Sequence, residues 1–227
     1  MTRTTNARIA GFTFLFYIAV GITSMVLNAR ATSGEGFAAQ LATMAQHATD
    51  VRLAVLLIPF MNLSALVLAV TLYAITREQD PDLAMLAMIC RVAEGIAGMD
   101  VSKTLGLLWL ATAADGNAPD VGGAPALGAF LLKTEEWSAI PSATFFALGS
   151  TLFSWLLLRG RMIPVALAWL GVLASILVVV CLPLQLAGVL GDPVTWFMWL
   201  PILLFEVALA LWLIVKGVAS PASRRPA

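Results

Sequence analysis

The sequence is poor in the residues from which most protein chemistry is built. Histidine occurs once, at His47, and cysteine twice, at Cys90 and Cys181, with no ligand set at metal spacing around them. A zinc, haem or iron–sulfur centre therefore lacks its parts, and no cofactor is expected. Charge is scarce as well, at 11% of the residues, and 13 bases cancel 13 acids. That balance supplies none of the basic field on which nucleic acid binding depends. Also missing are a nucleotide-binding glycine loop, HExxH, GxSxG and CxxC. Their absence removes the usual apparatus of hydrolase, metalloprotease and disulfide chemistry.

What the chain has in abundance is apolar surface. Sixty per cent of its 227 residues are hydrophobic, and the mean hydropathy is +0.93. A soluble domain of this size would not stay in solution with such a composition, so lipid is its solvent.

Crossing ~30 Å of hydrocarbon takes about 20 apolar residues. Six segments meet that length: 9–27, 53–75, 83–110, 137–158, 164–186 and 196–215. The expected fold is all-α, a single polytopic bundle of six transmembrane helices over residues 1–227, with a disordered tail at 220–227. The first run follows Arg3 and Arg8 and precedes Ala29-Arg30-Ala31, which resembles a cleavage site, but it is too long for a signal core and is taken as the first membrane helix.

Lys and Arg in the short flanking loops set the orientation. Arg3, Arg8, Arg77, Arg159, Arg161, Lys216, Arg224 and Arg225 fall on one side and Arg30, Arg52 and Lys133 on the other, eight against three. Both termini are accordingly expected in the cytoplasm. In the first outer loop, Phe37, Leu41 and Met44 recur at helical spacing, which predicts a short interfacial helix within 34–50. Residues 113–125, rich in Gly, Pro, Asp and Asn, read as an irregular outer loop, and the apolar run 126–132 as a surface turn, with a dip back toward the bilayer as the alternative.

Ionisable groups at membrane depth are costly unless paired, which makes them the first place to seek function. The third segment carries Arg91, Glu94, Asp100 and Lys103. At 100° per residue, each i,i+3 pair shares a face, and the two pairs point to nearly opposite sides. Glu94 lies roughly 16 Å into the segment, near the midplane, and Glu206 reaches the same depth in the sixth. Asp100 and Lys103 lie near the outer rim, where a wet ion pair is the plainer reading. Arg91 is expected to bond both Glu94 and Glu206. That trio keeps one negative charge in excess, so the two carboxyls are expected to share a proton. Small residues form a stripe, Glu94, Gly98, Ser102, Gly106, which suits close helix packing. Asn62, Tyr17 and Gln185 are further polar groups at depth, each an interhelical hydrogen bond before it is a ligand contact. Both cysteines are expected to be free, buried thiols.

Four short stretches, Ala7-Arg8-Ile9-Ala10-Gly11, Cys90-Arg91-Val92-Ala93-Glu94, Gly160-Arg161-Met162-Ile163-Pro164 and Glu206-Val207-Ala208-Leu209-Ala210-Leu211-Trp212, occur in this order. Together they resemble a bacterial multi-pass membrane family catalogued as domain of unknown function 4386, over about Arg8 to Gly217. The resemblance implies a bacterial inner-membrane protein and marks the Arg91–Glu94 pair and Glu206 as features of the family pattern. It implies no activity.

Three functional classes follow from the residues. One is a structural, sensing or assembly protein whose Arg/Glu cluster clasps helices. The second is a proton, ion or small-solute transporter or channel using the midplane carboxylates. The third is a lipid- or quinone-binding protein or membrane enzyme, weakened by the missing motifs. Expected partners are membrane lipids and whatever proton or small molecule the buried charges hold.

Overall fold

The computed structural model describes residues 2–113 and 124–219, and among these the regular structure is entirely helical. In chain order the helices are α1 (Arg3–Ala31), α2 (Phe37–Gln46), α3 (Ala48–Thr76), α4 (Pro81–Ala97), α5 (Ser102–Ala113), α6 (Ala124–Arg159), α7 (Val165–Leu186), α8 (Asp192–Phe197) and α9 (Trp199–Val215). Five stretches are long and apolar enough to cross a membrane: Arg3–Ala31, Ala48–Thr76, Ala126–Arg159, Val165–Leu186 and Val194–Val215. The chain is a multi-pass membrane protein.

Six helices close into a ring. α1 packs along α3, α3 along α4, α4 along α6, α6 along α7, α7 along α9, and α9 returns to α1. Their directions alternate, because one end of the bundle gathers the starts of α1 and α4 with the ends of α3 and α6. There the Arg3 guanidinium donates to the carbonyl of Ile75 at 3.0 Å. Arg159 pairs with Asp80 at 3.3 Å. The amide of Ala219, just past α9, donates to the carbonyl of Met162 at 3.0 Å. Local chemistry starts and stops the helices at this end. Asp80 accepts from the amide of Leu83 and Pro81 opens α4, a pairing of N-cap acid and first-turn proline that supplies what the helix start lacks.

Two exposed tryptophans mark two levels along α6. Trp137 and Trp155 on α6 lie about 27 Å apart along the helix axis, close to the thickness of hydrocarbon, and both are half-exposed. Indoles favour the two membrane interfaces, so these levels outline the slab. The 36-residue α6 therefore runs roughly 20 Å beyond Trp137. Its extension, with the matching ends of α1 and α3, supports a small lobe at the end of the bundle away from Arg3 and Arg159. Ala31, Met44, Val51, Leu107, Leu108 and Ala111 pack there as a separate apolar cluster.

Two expectations are corrected. The third segment, 83–110, is not one helix: α4 stops at Ala97 and α5 starts at Ser102. The reason is punctuation that an apolar run overrode. Gly98 caps α4, and the Asp100 carboxylate accepts from the Ser102 amide at 3.0 Å, starting a new helix. The run 126–132 is not a surface turn but part of α6. The loop expected at 113–125 falls largely, and the tail at 220–227 wholly, outside the described residues. The helix expected within 34–50 is α2, whose Phe37 ring sits against Gly128 of α6.

Candidate functional site

The centre of the ring is filled by side chains, and the largest wholly buried one is an arginine. Arg91 is 1% exposed, Glu94 3% and Glu206 5%. Exposure this low at membrane depth keeps bulk solvent off three ionisable groups, so their local partners decide their state.

Helices α1, α4, α6 and α9 supply the site. From α4, Arg91 Nη1 lies 2.8 Å from Glu94 Oε2, an i,i+3 pair one helical turn apart. The contact brings opposite charges together, but the N–H directions do not aim at the oxygen. As a result Nε, Nη1 and Nη2 of Arg91 and Oε2 of Glu94 have no aligned hydrogen-bond partner. From α1, the Tyr17 hydroxyl donates to the other oxygen of Glu94 at 3.0 Å, tying two helices that are not neighbours in the ring. The guanidinium carbon stands 5.7 Å from the centre of the Tyr17 ring and 5.0 Å from that of Phe146 on α6. Two aromatic faces thus hold the cation, a favourable arrangement where water is excluded. Its aliphatic stem crosses Gly149 of α6, where an added Cβ would meet Arg91 Cγ at 3.0 Å and Cδ at 3.1 Å.

Glu206 on α9 departs from expectation. Among the described residues no ion pair within 4.0 Å joins it to Arg91, and its Oε1 has no hydrogen-bond partner. Instead the two side chains line one cavity of about 10 Å³, together with Ser150 and Ser154 of α6 and apolar neighbours that include Phe14, Phe205 and Leu209. The physical reason is the pinning of Arg91. With its stem on Gly149 and its head between two rings, it reaches the acid on its own helix and stops short of the one across the ring.

The remaining candidate residues serve the chain break. Asn62 Nδ2 donates to the Gly98 carbonyl at 3.1 Å and to that of Ile58 at 2.8 Å. One amide thereby satisfies a terminal carbonyl of α4 while bonding back to a carbonyl of its own helix, α3. Ser142 Oγ donates to the Glu94 carbonyl at 3.1 Å. This Ser142 contact was not anticipated, since a lone serine in an apolar helix carries no distinguishing signal. Asp100 and Lys103 pair at 3.1 Å and are partly exposed. The Ser102 amide and the Lys103 ammonium hold the Asp100 carboxyl below its ordinary range. The stripe Glu94, Gly98, Ser102, Gly106 does not exist as one face, because Ser102 and Gly106 belong to α5. The close approach to α3 is made by Gly98, where an added Cβ would strike the Asn62 side chain, and by Gly95, where it would lie 3.1 Å from the Asn62 carbonyl oxygen. Gln185 is half-buried in the last turn of α7, and Cys90 and Cys181 are buried and free.

The family described as Domain of unknown function (DUF4386) matches residues 9–217, a span that takes in α1 from Ile9 onward and the other five ring helices whole. No curated protein and no solved structure matches the chain.

Proposed function

The chain belongs to that family, whose description assigns no activity, and from this premise we propose that the protein is a structural or assembly component whose buried Arg91–Glu94–Tyr17 constellation clasps the helices of a closed ring. The carrying observation is the enclosure of the guanidinium: it is 1% exposed, and the cavity beside it is about 10 Å³. That space admits water but no organic solute. Such an interior favours a clasp over a solute path. A buried charged network of this kind holds helices in one arrangement, and breaking it by removing one partner is far costlier than replacing it whole.

In this reading α4 is the sixth crossing. Its 17 residues rise about 25 Å, and it lies between α3 and α6 in the ring. The eight-to-three excess of Lys and Arg favours both termini in the cytoplasm, and the family resemblance favours a bacterial inner membrane. α2 and α5 form an outer lobe at the opposite interface.

The test is a set of three variants. Arg91→Ala strands two buried acids and is expected to destabilise the protein by about 3–5 kcal/mol. The triple variant Arg91→Ala, Glu94→Gln, Glu206→Gln removes the stranded charge and is expected to recover folded yield and melting temperature above those of Arg91→Ala. Glu94→Gln with Glu206→Gln alone leaves the cation unpaired and should also fall below the triple. Equal yield from the single and triple variants would refute the clasp.

A further inference from the structure

We infer that the cavity between Arg91 and Glu206 binds one ordered water, which accepts from the guanidinium and donates to the Glu206 carboxyl. The inference rests on the clasp reading and extends it, since the water is the arm that joins α9 to α4.

Three observations converge on the site. Its volume of about 10 Å³ is enough to admit a water and too small for an organic solute. Its lining carries four polar side chains, Arg91, Glu206, Ser150 and Ser154, which meets the requirement of two to four partners for a buried water. Oε1 of Glu206 and the three guanidinium nitrogens are buried without an aligned partner, so both of these lining side chains still have hydrogen-bonding capacity to offer.

The character of the walls selects the ligand. A small anion would face the Glu206 carboxyl, and a small cation would face the guanidinium. Water presents its oxygen to Arg91 and a hydrogen to Glu206 and is repelled by neither. Both serine hydroxyls can then turn as donor or acceptor toward whichever water atom is left. Direct closure of the gap by Arg91 is opposed by Gly149, Tyr17 and Phe146, which hold its stem and head.

The experiment uses the full chain in lipid nanodiscs with labelled arginine side chains, and reads magnetisation transfer from water to the Arg91 nitrogens by solid-state NMR. Transfer is expected in the unaltered protein and in Glu206→Gln, which keeps an acceptor oxygen. A several-fold weaker transfer is expected in Ser150→Val, whose added methyl occupies the cavity. Absence of transfer in the unaltered protein would overturn the inference, and so would undiminished transfer in a folded Ser150→Val. If the valine variant does not fold, Ser150→Ala serves, and its transfer should persist because space and two charged partners remain; loss of transfer there would count against the water as placed. The two readings fail separately. Water contact with equal stability of the single and triple variants rejects the clasp alone, whereas the expected stability order without water contact rejects the water alone.

Discussion

Replacing Gly11 with alanine measures how tightly the ring is closed. α1 and α9 are the only ring neighbours not joined by a nearby connection, so their contact completes the circle. A Cβ on Gly11 would stand 2.7 Å from the Ala210 carbonyl oxygen, 2.7 Å from Ile214 Cγ1 and 3.1 Å from the Ile214 amide nitrogen. Carbon atoms rest about 3.5–4.0 Å apart, so the helices have to part by roughly 1 Å. Ile214 can turn its side chain, but the Ala210 carbonyl is backbone and cannot swing aside. Overpacking costs about 1–3 kcal/mol, and the backbone neighbour puts this site at the upper end. Alanine's better helix propensity offsets about 1 kcal/mol of that. The net expectation is a loss of about 2 kcal/mol, or roughly 30-fold in the folded-to-unfolded ratio. Gly21→Ala, on the same helix, is the control. Its nearest neighbour would be Met61 Sδ at 3.6 Å, an ordinary contact, so a gain of about 0.5–1 kcal/mol is expected. Unfolding by SDS in mixed micelles, followed through the fluorescence of the seven tryptophans, compares the two. A Gly11→Ala protein as stable as the parent, or an equal loss from Gly21→Ala, would refute the reasoning.

Tyr17→Phe keeps the ring against Arg91 but loses the hydroxyl on Glu94, and should cost about 1.5–3 kcal/mol, the range for a hydrogen bond to a charged group. Tyr17→Ala removes both and should cost about 3–5 kcal/mol in the same assay; equal losses would mean that the ring contributes nothing. Asn62→Ala leaves the Gly98 carbonyl without its side-chain donor and is expected to cost about 1 kcal/mol and to speed amide exchange at the α4–α5 junction. Unchanged exchange there would show that Asn62 does not hold the break. Reporter fusions after Arg77, Arg159 and Lys216 should all lie in the cytoplasm, and an outside signal from any one rejects the proposed orientation.

Composition and apolar run length were enough to establish a multi-pass membrane protein, because the lipid solvent imposes one rule on every spanning segment: about 20 apolar residues with their backbone bonds satisfied internally. The same local rules identify Arg91 and Glu94 as facing one another, since i,i+3 spacing alone brings their side chains together. Hydropathy passed over the break at Gly98 to Asp100 because Met99 and Val101 keep the average high; the signal was the Gly-x-Asp-x-Ser order of cap residues rather than the apolarity around it. Depth along each helix put Glu206 level with Arg91, yet depth says nothing of azimuth or reach. Whether the arginine touches the distant acid depends on how the ring closes, on Gly11 meeting Ala210 and on Gly149 receiving the arginine stem. Those are contacts between residues far apart in the chain, and only the packed bundle decides them. The fold follows from what lipid requires of any single segment, whereas the site follows from close approaches between segments, which no single segment encodes.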